Sequence, residues 1–289
     1  MKKKFNVVDA VLILLLLAAV AACVLFLRQR GTISAPGSNE PMRFTVELRE
    51  VQPETIALFE RGQNVYRSTD GVYLGTLADF YSETYTKTEY STLLERYVTY
   101  ECEGLYRTYL VIEGPGYETA TNVYINDVSV KIGDEIYVKA KGYAGAGFIT
   151  GIDTMDAPHA ENTAVGLGET ELTYRVRISD VRDFTAQALH VGDRVYDQST
   201  GALLGAITEM EVGPYYVYEM DGEGNGVRVE KDGRCQILLT LDGRCTETDN
   251  SYFIDGRNEL KVGAELVMAT KYVKCEMRYH ELLSVESAS

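Results

Sequence analysis

From Phe44 the chain alternates. Phe44, Val46 and Leu48 are apolar, while Thr45, Glu47 and Arg49 are polar, the period-two pattern of a strand with one face buried. The device returns in Tyr174, Val176 and Ile178, set against Arg175, Arg177 and Ser179. Gly62, Val65, Tyr66, Gly71, Leu74 and Gly75 then match Gly192, Val195, Tyr196, Gly201, Leu204 and Gly205 without a gap, 130 residues apart. The turn formers 68–71 and 198–201 predict hairpins over 65–77 and 195–207. Gly75 and Gly205, inside the returning strands, predict a bulge or a close backbone approach. A second phrase, 130–137 with Gly133, recurs as 260–267 with Gly263, and a glycine leading into a strand this way suits a small β-barrel. The expected fold is mainly β: two tandem homologous β-barrel-like domains over 43–152 and 172–289. Residues 153–171, with Pro158, Gly166 and Gly168, are the expected linker.

Between the repeated phrases the sequences part. Residues 81–108 are rich in Tyr and Thr, with a short helix expected over 93–97, whereas 213–234 are rich in Gly, Asp and Glu. Divergent inserts on a repeated scaffold are where binding specificity commonly resides. The repeated halves are expected to own separate apolar cores.

The pattern breaks down at the other end of the chain. Lys2, Lys3 and Lys4 precede 18 uninterrupted apolar residues, Ala10 to Leu27, about 27 Å as a helix and enough to span a bilayer. The basic start predicts residues 1–9 in the cytoplasm, a transmembrane helix over 10–27, a flexible tether over 28–42 and the bulk of the chain outside. Val20 to Cys23 also fits a lipoprotein cleavage site, but the apolar Val24 to Leu27 that follow favour a retained anchor. Ala18 and Ala22 form a small-residue pair that would let two anchors pack, which leaves a homo-oligomer open.

Charge narrows the partners. The formal net charge is −15, and the first thirty residues hold five of the 28 bases but one of the 43 acids. The remainder repels phosphate backbones, so no nucleic-acid partner is expected. Five cysteines without a Cys-x-x-Cys pair offer neither a disulfide scaffold nor a zinc site. A bridge between Cys235 and Cys245 is conceivable, but buried free thiols are favoured.

The short lysine-rich start with Phe5 to Asp9, the membrane run, and the Gly192-Asp193-Arg194-Val195-Tyr196-Asp197 phrase running to Leu204-Gly205 resemble the DUF4330 family of bacterial membrane proteins. The resemblance implies a membrane-anchored envelope protein and brings no catalytic residues with it. The first copy departs at Gln63, Asn64 and Arg67, where the second has Asp193, Arg194 and Asp197.

Chemistry is sparse. Asp221, Glu223 and Asn225 with Asp232 imitate the oxygen spacing of a calcium loop, but Glu223 is long, Asp232 short, and no amphipathic helices flank them, so no metal is expected. Three histidines, His159, His190 and His280, lack ligand spacing. No phosphate loop, dinucleotide fingerprint or nucleophile elbow is present, and no cofactor is expected. The leading expectation is a non-enzymatic, membrane-anchored binding or scaffold protein of the bacterial cell envelope that meets a partner protein or surface polymer. The alternatives are an envelope hydrolase using carboxylates in the divergent inserts and an exporter-type adaptor subunit, though the long heptad hairpin of such adaptors is missing.

Overall fold

A computed structural model describes residues 40–153, 165–248 and 251–287. The expected anchor over 10–27, the tether before Glu40 and His159 lie outside them. Among the described residues no helix is long and apolar enough to cross a membrane.

The described chain is mainly β, in two similar eight-stranded sheets. The first holds β1 (Glu40–Val51), β2 (Asn64–Arg67), β3 (Tyr73–Ser91), β4 (Arg96–Glu118), β5 (Val123–Ile125), β6 (Val128–Val130), β7 (Glu135–Ala140) and β8 (Tyr143–Ile152), with the single-turn helix α1 (Pro53–Ile56) after β1. The second holds β9 (Thr170–Val181), β10 (Arg194–Asp197), β11 (Leu203–Met220), β12 (Gly226–Thr248), β13 (Ser251–Ile254), β14 (Asn258–Glu259), β15 (Glu265–Ala269) and β16 (Lys274–Ser287), with α2 (Asp183–Gln187) after β9. Neighbours in the first run β1-β8-β7-β2-β3-β4, and β4 pairs back onto β1, so the circuit closes. In the second, β9-β16-β15-β10-β11-β12 closes likewise through β11 and β12.

The alternating residues explain the closure. Phe44, Val46 and Leu48 are fully buried, as are Tyr174, Val176 and Ile178, and each set faces the inside of its own circuit. Where the circuit tightens, backbones touch. A Cβ on Gly75 would lie 2.2 Å from the Glu113 carbonyl oxygen, and one on Gly114 would lie 2.1 Å from that of Leu74. Gly205 and Gly243 repeat the crossing, at 2.8 Å from the Asp242 oxygen and 2.4 Å from the Leu204 oxygen. No side chain fits there, which is the physical reason for glycine inside these strands.

Two expectations need correction, the short helix over 93–97 and the separate apolar cores. Residues 93–95 form the turn between β3 and β4, and Arg96 and Tyr97 already begin β4. Glu95 takes a positive φ of 50°, which ends any helical run. The divergent stretches also fold alike, each as a long two-stranded hairpin. Both carry the same bulge, with residues 102–105 opposite Tyr85 and 231–234 opposite Tyr215, each containing a left-handed glycine, Gly104 or Gly233. The apolar cores are not separate: buried residues of both sheets form one connected cluster. Cys235 and Cys245 are the buried free thiols that the sequence favours, on a single strand, β12; ten residues of strand place them about 33 Å apart, beyond any bridge.

The sheets meet along two lines. Ile132 forms a parallel bridge with Val273, its N–H donating to the Tyr272 carbonyl at 2.7 Å. Beside it the Lys131 ammonium, 2% exposed, donates to the carbonyls of Thr121, at 2.9 Å, and Thr270. Burial pulls the Lys131 pKa down to about 8, against the favourable charge of Asp134. The second line is ionic and lies at the far end of β1.

Candidate binding groove between the two sheets

Near their C-terminal ends β1 and β9 each carry a bulge, marked by positive φ at Glu50 (55°) and Asp180 (55°). The extra residue redirects the strand, so Arg49 on one side and Asp180 on the other turn toward the space between the sheets. β1 also delivers Glu47 there. Its place in the alternation predicts a solvent-facing side chain, yet Glu47 is 1% exposed, because a cation of the other sheet covers it.

That cation is Arg182. Its two terminal nitrogens donate to the two Glu47 oxygens, each at 2.7 Å, the bidentate geometry that gives an arginine–carboxylate pair its strength. Arg49 Nε donates to Glu47 Oε1 at 2.7 Å, and Arg107 Nε stands 3.9 Å from the same oxygen. Burial alone would raise the Glu47 pKa; the hydrogen bonds and charges of Arg182 and Arg49 outweigh it and hold the carboxylate below its ordinary value. The guanidiniums are braced by rings, Arg182 over Phe184 at 4.7 Å and Arg49 over Phe148 at 4.6 Å.

Above this cluster the two hairpins run side by side, joined where the Tyr97 hydroxyl donates to Glu219. Burial and that hydrogen bond push Tyr97 up to about 12, so it stays a donor at neutral pH. Between the hairpins lies a groove of about 460 Å³, lined from the first sheet by Arg49, Tyr85, Lys87, Tyr97, Thr99 and Arg107 among others. The second sheet contributes Arg182, Asp183, Phe184 and the bulge 231–234. Lys231 and Arg234 of that bulge share Asp180, at 3.0 and 3.5 Å. The groove presents guanidiniums and ammoniums, the carboxylates of Asp183 and Asp232, and the hydroxyls of tyrosines and threonines.

The glycines and flanking residues singled out in the sequence belong to the frame. Gly62, Gly71 and Gly133 have positive φ, as do Gly192, Gly201 and Gly263. Val65 and Val195 are fully buried, and Tyr66 and Tyr196 pair their strands with β7 and β15. The calcium-like loop is not assembled. The Asp221 carboxylate accepts from the N–H groups of Glu223, at 2.9 Å, and Asn225, at 2.7 Å, and from Asn225 Nδ2, so it closes a turn. Asp232 lies six residues beyond Gly226 on β12, about 20 Å along the strand, and lines the groove instead. Among the described residues no set of His, Cys, Asp or Glu is placed to hold a metal ion.

A family model described as "Domain of unknown function (DUF4330)" matches residues 1–153, more than half of the chain. The chain belongs to the DUF4330 family. The match takes in the N-terminal apolar run and the whole first sheet, and it stops before β9. No curated protein and no solved structure matches the chain. Sequence reasoning missed the groove, because its residues come from both sheets and are ordinary charged surface types. One signal was available: positions 130 apart carry Glu47 against Arg177 and Gln52 against Arg182, a charge divergence inside an otherwise faithful repeat.

Proposed function

We propose that this DUF4330 protein is a non-enzymatic, single-pass protein of the bacterial cell envelope. Residues 10–27 cross the membrane with the N-terminus in the cytoplasm, and two tandem, homologous, barrel-like copies stand outside it as one rigid binding scaffold. The observation that carries this reading is directional. Chain leaving the tether enters β1 at Glu40, whereas the groove opens beside Arg49 at the other end of the strand, about 30 Å away at ~3.3 Å per residue. The hairpins extend further in the same direction. An anchor at one end and a groove built from both copies at the other suit capture of an envelope partner or surface polymer beyond the membrane surface.

Leu93, at the hairpin tip, is 90% exposed and provides the test. Leu93→Cys should react with a membrane-impermeant maleimide on intact spheroplasts well above the wild-type background. Labelling that appears only after lysis would place the scaffold in the cytoplasm and end this reading.

A further inference from the structure

We infer that the groove binds an oxyanion-bearing ligand larger than a free ion: a stretch of anionic surface polymer whose phosphate or carboxylate groups are read by guanidiniums. This deepens the binding reading above and rests on it. The argument begins with charge. Six cations line the groove, Arg49, Lys87, Arg107, Arg182, Lys231 and Arg234. The carboxylates within reach are Asp183 and Asp232 in the wall, Glu47 and Asp180 behind it, Glu89 on Lys87, Glu219 on Tyr97 and Glu50 beside Tyr85. The groove is therefore close to charge balance, in a chain that carries −15 overall.

Within it the cations are gathered unevenly. Arg49, Arg107 and Arg182 share the single carboxylate of Glu47, which cannot neutralise three cations. Arg107 is the one left short. Its Nε stands 3.9 Å from Glu47 Oε1, too far for a hydrogen bond, while about a quarter of the side chain is open to the groove, so its terminal nitrogens are the ones that can take a ligand oxygen. The guanidiniums stacked on Phe148 and Phe184 lose little freedom on binding, since they are held before the ligand arrives. A volume of about 460 Å³ is far more than one phosphate or carboxylate fills, so further units of the ligand meet the hydroxyls of Thr99 and Tyr97 on the β4 wall.

The experiment is calorimetric titration of the full-length protein in detergent with four probes of known composition: a glycerol-phosphate oligomer, an oligogalacturonate, a neutral malto-oligosaccharide of similar length, and inorganic phosphate. At least one anionic oligomer should bind, more weakly as salt is raised, while the neutral oligomer and free phosphate bind far less. Which anionic oligomer is preferred identifies the source of the oxyanion. Arg107→Gln and Arg234→Gln should each weaken binding on the order of tenfold or more with little change in melting temperature, and Arg228→Gln, outside the groove lining, should not. Equal, salt-insensitive binding of the neutral oligomer would overturn the oxyanion while leaving a binding groove. Binding that ignores Arg107→Gln and Arg234→Gln, or no binding of any oligomer, would overturn the site. The maleimide labelling reads location independently of either result.

Discussion

The two sheets share strand order, bulges and turn glycines, yet the same positions do opposite work. Position 47 holds a buried glutamate and its counterpart 177 an arginine; position 52 is Gln, and its counterpart 182 is the arginine that reaches across to Glu47. At the hairpin bulge the first sheet has Cys102 and Leu105, and the second has Lys231 and Arg234, which line the groove. Lys131 and Ile132 are 2% and 1% exposed against the second sheet, whereas Val262, the counterpart of Ile132, is 64% exposed. What the contrast teaches is that the backbone-defining residues are alike in the two sheets while a few side chains differ in ways that make the units complementary. The groove is a product of that difference. Each prediction below sets a position against its counterpart, from the largest expected effect to the smallest.

Glu47→Ala leaves Arg182 and Arg49 without the carboxylate that both bond. Breaking a buried ion pair by removing one partner costs about 3–5 kcal/mol, and urea unfolding should show a loss of that order. Arg177→Ala removes a half-buried side chain that bonds His280 Nε2 at 3.0 Å, and it should cost no more than about 1 kcal/mol. Equal costs would break the comparison. Acid should act through Glu47 as well: its folded pKa is lowered, so its contribution is present above its ordinary value and fades as pH falls through the folded one.

Gly75→Ala and Gly205→Ala test the shared frame. Both would place a Cβ on carbonyl oxygen, at 2.2 Å from Glu113 for Gly75 and at 2.8 Å from Asp242 for Gly205. Each should destabilise by about 1–3 kcal/mol, with Gly75 the worse because its contact is closer. A neutral result at either would mean that the crossing relaxes.

Much of this frame was legible in the sequence because it depends on local chemistry. A glycine inside a strand, a turn former before it and strict alternation each constrain the backbone of their own segment, which is why the strands near Gly75 and Gly205 could be placed without coordinates. Glu47 shows the opposite case. Alternation assigns it to the solvent face, and only the arrival of Arg182, 135 residues away, buries it. The hairpin extensions were misread for a related reason. Leu93 to Tyr97 has helix-forming composition, but the pairing of Arg96 and Tyr97 with Ser91 and Tyr90 makes residues 93–95 a hairpin turn and overrides that preference. Charged residues gathered from two sheets leave no periodic trace in either.

Lys131 sharpens the comparison through pH. Its folded pKa, about 8, lies below the ordinary 10.5, so between those values the unfolded chain binds a proton that the folded chain has released, and stability rises with pH. Below about 8 both states are protonated and the full penalty of the buried charge is felt. The shift sets an upper bound of about 3 kcal/mol, and the carbonyls of Thr121 and Thr270, which favour the ammonium, reduce it toward about 1–2 kcal/mol. Unfolding measured from pH 8 to 10 should show a climb that Lys131→Met abolishes. Lys261→Met, at the counterpart position where the side chain is 64% exposed, should leave the climb intact.

The smallest effect is expected at Val262, and it bears on assembly. The internal contact is head to tail: residues 131–133 of one sheet meet 270–274 of the other, so 261–263 and 140–144 are the unused halves of a similar contact. Such an interface propagates into filaments if its free ends remain complementary. Here they do not. Where the internal contact joins Lys274 to Asp134 at 3.0 Å, the free ends carry Ala144 and Ala264, and Gln52 and Arg177 replace the Arg182 and Glu47 pair. Val262→Asp should therefore shift stability by less than about 0.5 kcal/mol and leave the sedimentation coefficient of the protein unchanged, whereas Ile132→Asp should destabilise strongly because it buries a charge at the bridge to Val273. A Val262→Asp variant that sediments more slowly than the wild type would show that chains join through this edge and that the ends are complementary after all.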